Sequence, residues 1–158
     1  MISKNLIQKV SEKLTRKKLT ISTAESCTGG LLSHYLTYLS GSSHFFERGV
    51  ISYSNKSKIA VLNVQNETLE NSGAVSSQTA KEMAIGIQKM AGTDIGLSIT
   101  GIAGPTGGTT EKPNGLVFIG ISYGQNTEVK KYIFSGNRIE NKEKACEEAL
   151  QLLLKKIN

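Results

Sequence analysis

The sequence contains few of the residues on which most hydrolytic and metal sites depend. Among its 13 acidic residues the only aspartate is Asp94, and the only histidines are His34 and His44. A hydrolase with paired aspartates is therefore excluded, and a Ser-His-Asp triad would need Asp94 or a glutamate as its acid. Two imidazoles are too few for a zinc site built from several histidines. Nucleophilic catalysis that does without histidine stays open.

Cysteine and long apolar segments are also scarce. Cys27 and Cys146 do not form a C-x-x-C motif and are too few for a disulfide scaffold, which favours a reducing compartment. No apolar run approaches the roughly 20 residues of a membrane span, and the first residues lack the apolar core of a signal peptide. We therefore expect a cytoplasmic protein with no membrane partner, and the 158 residues fit a single domain over 1–158.

The positive charge is concentrated at the amino terminus. The formal net charge is +6, and residues 1–18 contribute six positive residues against one glutamate, a net of +5. In the same segment apolar residues recur every four positions from Ile2 to Leu14, which predicts an amphipathic helix over 2–17. The basic residues then form the solvated face of that helix. We expect no nucleic-acid partner, because nucleic-acid binding would instead show an affinity that falls steeply with salt.

Strand and helix patterns alternate along the rest of the chain. Strands are predicted at 19–23, 50–54, 94–100, 116–123 and 129–134. Helices are predicted at 28–40, 56–62, 66–71, 77–90 and 138–157. The last two strands form an antiparallel hairpin, and the alternation predicts an α/β fold with a largely parallel sheet. In such sheets ligands bind at the carboxyl ends of the strands.

The first segment at a strand end, 24–30, places small hydroxyl residues and two glycines at the start of a helix. Its free backbone N–H groups suit an anion or a developing oxyanion, and Ser26 or Cys27 is a candidate nucleophile beside them. The structural alternative is that Ser26 caps the helix and Cys27 is a small buried hydrophobe.

The second and third segments supply a candidate base and a candidate cradle. In 53–58 a desolvated lysine, Lys56 or Lys58, would lose its proton and serve as a neutral general base for a serine, and spacing does not choose between the two. The glycine-rich segment 100–108 lets the backbone approach a polar ligand closely. It matches neither the P-loop nor the dinucleotide-binding pattern, and we expect no cofactor and no metal.

Seven short motifs run in order along the chain. They are Ala24–Gly30 (AESCTGG), Phe46–Gly49 (FERG), Tyr53–Asn55 (YSN), Gly73–Ser76 (GAVS), Gly101–Pro105 (GIAGP), Glu111–Pro113 (EKP) and Phe134–Gly136 (FSG). From about residue 5 to 155 the sequence resembles the CinA carboxy-terminal domain family, which includes stand-alone nicotinamide-nucleotide amidases. The resemblance implies a bacterial enzyme that hydrolyses nicotinamide mononucleotide to nicotinate mononucleotide and ammonia. It also implies a three-layer α/β/α sandwich with a mixed, mostly parallel sheet, and a homo-oligomer.

The resemblance assigns roles to individual residues. It makes Ser26 the nucleophile, Lys58 rather than Lys56 the catalytic lysine, and Tyr53 an active-site tyrosine. A guanidinium matches phosphate geometry with paired donors, so Arg138 suits the substrate phosphate. The substrate-binding residues that we expect on this basis are Thr28, Gly29, Gly30, Asn55, Thr100, Gly101, Gly104 and Arg138.

The sequence also departs from the usual family pattern in its loops. Thr106, Thr110, Asn114 and Asn137 replace residues that are common in the family, and we expect them to affect substrate affinity and specificity more than the chemistry. The large amino-terminal domain of two-domain members is absent, so we expect no activity belonging to that domain. The alternative to an amidase is a CinA-like module that binds a ligand or acts as a scaffold without catalysis.

Overall fold

Five strands and six α-helices form the fold, and a computed structural model describes all 158 residues. The strands are β1 (Ile21–Glu25), β2 (Phe46–Ile51), β3 (Ile95–Gly101), β4 (Leu116–Tyr123) and β5 (Asn126–Ile133). The helices are α1 (Lys4–Lys17), α2 (Leu31–Leu36), α3 (Asn55–Leu62), α4 (Asn66–Ser72), α5 (Ser77–Ala91) and α6 (Arg138–Lys156), and a 3₁₀ turn spans Ser42–His44. None of these helices combines the length and the apolar character needed to cross a lipid bilayer.

The strands form one mixed sheet in the order β2-β1-β3-β4-β5. Strand β1 pairs in parallel with β2 and β3, whereas β4 pairs antiparallel with β3 and β5. Four strands therefore run in one direction and β4 runs in the opposite direction. This agrees with the predicted α/β fold, in which the last two strands form an antiparallel hairpin. The carboxyl ends of β1, β2 and β3 meet at one edge of the sheet, which is where ligands bind in folds of this type.

Helices cover both faces of the sheet, so the fold is the expected three-layer α/β/α sandwich. On one face α1, α2 and α6 pack against buried strand residues such as Ile21, Leu97 and Ile119. On the other face α3, α4 and α5 pack around Ala24 and Met83. Because successive strand side chains point to opposite faces, neighbouring residues of β1 belong to different layers.

Strand β2 and helix α2 differ in extent from their predictions. Strand β2 covers Phe46–Ile51 rather than 50–54, because it is an edge strand whose exposed Glu47 and Arg48 hide the apolar pattern of a buried strand. Helix α2 covers Leu31–Leu36 rather than 28–40. It begins late because Gly29 and Gly30 adopt positive φ angles of 60° and 102°, which are incompatible with an α-helix.

Strands β5 and β1 also differ in extent from their predictions. Strand β5 begins at Asn126 instead of 129, and Gly124 and Gln125 alone form the turn. Gly124 has φ 60°, the left-handed conformation that tight hairpins favour at a glycine. Strand β1 lies two residues further toward the carboxyl terminus than predicted and ends at Glu25. Glu25 is fully buried in the structure, but a prediction from sequence ends the strand before a charged residue.

Candidate active site

A cleft of about 230 Å³ opens at the carboxyl ends of β1, β2 and β3. It brings together six of the residues predicted for the site, namely Ser26, Tyr53, Lys58, Thr100, Gly101 and Arg138. A larger groove of about 890 Å³ lies between α3, α4 and α5, but none of the predicted residues lines it. The smaller cleft is the candidate active site because it contains the predicted nucleophile and the predicted base together.

Ser26 and Lys58 are in direct contact. Ser26 is the first residue after β1, and its amide donates to the carbonyl of Ile99 at 3.0 Å, which continues the β1–β3 pairing. Lys58 lies in the first turns of α3, whose start is fixed by the Ser54 hydroxyl accepting from the amide of Ser57 at 3.0 Å. The resulting distance from Lys58 Nζ to Ser26 Oγ is 3.0 Å, and both residues are buried.

The surroundings of Lys58 favour a neutral amine. Its Nζ contacts the carbonyl oxygens of Ser52 at 2.9 Å and Tyr53 at 3.2 Å in addition to Ser26 Oγ. The amine donates to these three acceptors, and loss of one proton would leave its lone pair facing the serine hydroxyl. Burial of Lys58, which is 1% exposed, lowers its pKa, and no carboxylate pairs with the side chain to restore it. The lowered pKa makes Lys58 a candidate acceptor for the Ser26 proton.

Cys27 is poorly suited to be the nucleophile. Burial of its thiol, together with the negative charge of Glu25, raises the pKa of Cys27 to about 12. The thiolate is the reactive form of cysteine, and almost none is present at neutral pH. Of the two nucleophiles that the sequence left open, the structure favours Ser26.

Glu25 holds the loop that carries the nucleophile. Its carboxylate is fully buried and accepts five hydrogen bonds. The donors are the hydroxyls of Thr28 and Ser33 and the amides of Gly30, Leu32 and Ser33, at 2.6–3.1 Å. The carboxylate thus satisfies the free amides at the start of α2 and fixes the chain from Ser26 onward.

Backbone amides, rather than Thr100, are the available donors for an oxyanion. The Thr100 hydroxyl donates to the carbonyl of Ala74 at 2.8 Å and so holds the wall of the cleft in place. The amides of Cys27 and Ala103 donate to no other residue of the chain, and both residues line the cleft. The amide that follows the nucleophile is a common oxyanion donor in serine hydrolases.

Arg138 spans the mouth of the cleft from the start of α6. Its Nη1 donates to the carbonyl of Gly104 at 2.8 Å, and its Nη2 donates to the Tyr53 hydroxyl at 3.3 Å. Asn141, one turn further along α6, donates to the carbonyl of Ala103 at 3.0 Å. These bonds join α6 to the Gly101–Gly104 loop.

Five predicted substrate-binding residues do not line the cleft, and one of them, Gly104, accepts from Arg138 through its carbonyl. The Thr28 hydroxyl donates to Glu25, and Gly29 and Gly30 form the surface of the loop before α2. Asn55 is the exposed first residue of α3 and makes no side-chain hydrogen bond. Their substrate contacts remain predictions.

Sequence reasoning missed one wall of the cleft and the anchor of the loop. The unpredicted lining residues are Ala74 and Val75, whereas Ile102, Ala103 and Thr106 lie in the segment 100–108 that was predicted to cradle a ligand. Apolar residues of this kind carry no chemical signal in a sequence. For Glu25 a signal existed, since an acid inside an apolar strand and just before a helix start is a capping pattern.

The titratable residues of the site favour no metal. No group of three or more His, Cys, Asp or Glu side chains converges anywhere in the structure. No aspartate or glutamate lines the cleft, and Arg138 contributes a permanent positive charge to it. The cleft is therefore suited to a ligand that carries negative charge.

Comparison with known proteins places this arrangement in a family. The model of the CinA C-terminal domain matches residues 3–157. A CinA-like protein of Kosmotoga olearia is 50% identical over 153 residues, which are 96% of this chain and 37% of that protein. A CinA-like protein of Syntrophomonas wolfei is 55% identical over 139 residues, 88% of this chain and 33% of that protein. The chain thus spans about a third of the length of the curated relatives that it matches.

Solved structures show the same fold at similar length. The competence-damaged protein (CinA) superfamily protein of Enterobacter cloacae superposes with a TM-score of 0.93 at 37% identity, over 97% of this chain and 90% of that chain. The competence/damage inducible protein CihA of Agrobacterium tumefaciens gives a TM-score of 0.93 at 38% identity, over 96% and 93% of the two chains.

Proposed function

The chain belongs to the CinA C-terminal domain family, and from that premise we propose that it is an amidase that hydrolyses the carboxamide of nicotinamide mononucleotide. The products are nicotinate mononucleotide and ammonia. The observation that carries the proposal is the contact of 3.0 Å between Ser26 Oγ and a buried Lys58 that has no carboxylate partner. This pair supplies a nucleophile and a base without histidine, aspartate or metal.

Acylation begins with a proton transfer. Neutral Lys58 accepts the hydroxyl proton of Ser26, while the carbonyls of Ser52 and Tyr53 hold its two N–H groups. Ser26 Oγ forms a bond to the carboxamide carbon, and the carbonyl oxygen becomes an oxyanion. The free amide of Cys27, with that of Ala103 across the cleft, donates to this oxygen.

The leaving group is ammonia. The ammonium of Lys58 returns its proton to the carboxamide nitrogen as the carbon–nitrogen bond breaks, which leaves an ester on Ser26 and a neutral lysine. A water molecule then gives one proton to Lys58 and attacks the ester carbon. The bond from the acyl carbon to Ser26 Oγ then breaks, and Lys58 returns its proton to Oγ, which releases nicotinate mononucleotide and restores the Ser26 hydroxyl and neutral Lys58.

The size and charge of the cleft support a mononucleotide as substrate. A volume of about 230 Å³ lies below the roughly 300–1,000 Å³ of sites that enclose whole drug-sized ligands. We therefore place the pyridine ring inside the cleft and the ribose phosphate at its mouth. Arg138 is at that mouth, with further N–H groups beyond the two that bond Gly104 and Tyr53.

The test is ammonia release from nicotinamide mononucleotide by Ser26→Ala and Lys58→Met variants. Each should lower kcat by about a thousandfold or more, because a nucleophile and its base act as a unit. Lys56→Met is the matched control, since Lys56 is exposed two residues away and should keep full activity. Circular dichroism spectra establish that every variant is folded.

A fully active Ser26→Ala variant would refute the mechanism. If the wild-type protein released no ammonia from any pyridine nucleotide yet bound one of them, the chain would be a ligand-binding module instead. A loss of activity in Lys56→Met with full activity in Lys58→Met would contradict the choice of Lys58 as the base.

A further inference from the structure

Lys142 is a cation beside the nucleophile loop that the mechanism above does not use. It lies on α6 one turn after Arg138, and its side chain is half-buried. Its ammonium has neither an ion-pair partner nor a hydrogen-bond acceptor in the chain. It is nevertheless close enough to Cys27 for its charge to oppose the rise in the pKa of that thiol.

Gly29 leaves space in front of this ammonium. Gly29 is exposed, and a Cβ added there would meet only Lys142 Nζ, at 3.8 Å. The amide of Gly29 also donates to the carbonyl of Ser26 at 3.1 Å. Gly29 and Lys142 thus face each other, and Arg138 lies one turn before Lys142 on α6; we call these three residues the α6 shelf.

The two cations of the shelf are placed unfavourably for the helix that carries them. Arg138 and Lys142 are four residues apart, so they share one face of α6, and like charges at this spacing repel each other. Arg138 is also in the first turn, where the helix dipole disfavours a positive charge. A bound anion would remove both penalties.

No carboxylate of the chain neutralises the shelf. Glu25 is occupied by five donors, and Glu140 accepts from the amide of Asn137 as part of the helix cap. Glu143 binds the amino group of Met1 at 2.6 Å. The positive charge of Arg138 and Lys142 is therefore available to a ligand.

We propose that the α6 shelf binds the substrate's phosphate, with Lys142 as the second cation beside Arg138. This inference rests on the proposed amidase function and extends its substrate-binding site. With the pyridine ring at Ser26, the ribose leads the phosphate over Gly29, where the missing side chain allows a close approach. A dianionic phosphate accepts paired N–H bonds from Arg138 and one from Lys142.

The test compares nicotinamide mononucleotide with its dephosphorylated nucleoside as substrates of Lys142→Met. Methionine keeps the apolar stem and removes the charge. KM for the mononucleotide should rise by about tenfold to a hundredfold, the usual effect of one lost bond to a charged group. The kcat value and the KM for the nucleoside should not change. Lys144→Met, an exposed lysine on the same helix, is the matched control and should resemble wild type for both substrates.

Two results would overturn the inference. One is an unchanged KM for the mononucleotide, and the other is an equal rise for both substrates, which would make Lys142 a structural counter-charge to Glu25. Calorimetric titration of the mononucleotide into Ser26→Ala and into Ser26→Ala/Lys142→Met separates the shelf from the chemistry. A weaker Kd in the double variant supports the shelf even if wild type releases no ammonia, whereas equal Kd values refute it.

Discussion

Replacing Glu25 with glutamine tests how the nucleophile loop is held. The carboxylate Oε1 accepts from the amide and hydroxyl of Ser33, and Oε2 accepts from the Thr28 hydroxyl and the amides of Gly30 and Leu32. A hydroxyl can reverse and accept from a new NH₂ group, but a backbone amide cannot. The glutamine nitrogen is therefore accommodated best at the Oε1 position, where one amide, that of Ser33, loses its acceptor.

The expected loss of stability follows from this count. A buried amide without a partner costs about 1–3 kcal/mol. Loss of the negative charge weakens the three bonds that remain at Oε2 and adds about 1 kcal/mol. We expect Glu25→Gln to lower the free energy of unfolding by about 2–4 kcal/mol, a large part of the 5–15 kcal/mol typical of a folded domain. Because the bonds fix the chain next to Ser26, kcat should fall as well.

Urea denaturation followed by circular dichroism measures the change. Glu70→Gln is the matched control, because Glu70 is exposed and accepts a single side-chain bond, from Asn66 at 2.7 Å. Surface substitutions of that kind usually stay within about 0.5 kcal/mol of wild type. If Glu25→Gln were as stable as Glu70→Gln, the five contacts would not hold the loop and the argument would be wrong.

Three further predictions concern the base, the thiol and the packing of α5. Only neutral Lys58 accepts a proton, and burial lowers the pKa of this lysine. We therefore expect kcat/KM to rise with pH and to level off below the pH of about 10.4 at which an ordinary lysine titrates. A kcat/KM that rises only above that pH would contradict the role of Lys58 as the base. Cys27→Ala should keep its activity, and iodoacetamide should not inactivate wild type, because the raised pKa keeps the thiol protonated. Gly86→Ala should lower the thermal midpoint, since the added Cβ would fall on the carbonyl oxygen of Leu62 and separate α5 from α3. Such overpacking costs about 1–3 kcal/mol. At an exposed helix position without close neighbours, replacing glycine with alanine stabilises the helix, so a Gly86→Ala variant more stable than wild type would contradict the close approach of Gly86 to Leu62.

The fold was largely predictable because a helix or strand with one buried face shows a regular spacing of apolar residues in the sequence. Helix α1 appears within two residues of its prediction, since its apolar residues lie on one stripe and its lysines face solvent. Strand β4 appears with the predicted bounds because it is buried along nearly its whole length. Strand β2 was misplaced because its outer residues face water at the edge of the sheet, where no buried face imposes a pattern.

The site was predictable in part, for a different reason. Topology alone brings the ends of β1, β2 and β3 together, so Ser26, Tyr53 and Thr100 could be expected at one edge. The choice of Lys58 over Lys56 followed from family resemblance, and the structure adds a physical reason. Helix α3 begins at Asn55, after the cap residue Ser54, so Lys56 and Lys58 are both helical. Their side chains are two residues apart and therefore point about 200° apart around the helix axis. Lys56 therefore points to solvent and Lys58 into the cleft.

The separation of Glu25 from Lys58 explains how one buried acid and one buried base coexist near Ser26. A lysine that must be neutral cannot have a carboxylate partner, because an opposite charge at close range raises its pKa. Glu25 precedes Ser26 by one residue, yet successive residues of a strand point to opposite faces of the sheet. Glu25 therefore lies in the layer of α2 and α6, where five donors hold its charge, and Ser26 reaches Lys58 of α3 in the other layer. The alternation of the strand itself keeps the Glu25 carboxylate from pairing with Lys58, so burial lowers the pKa of Lys58 without an opposing carboxylate partner.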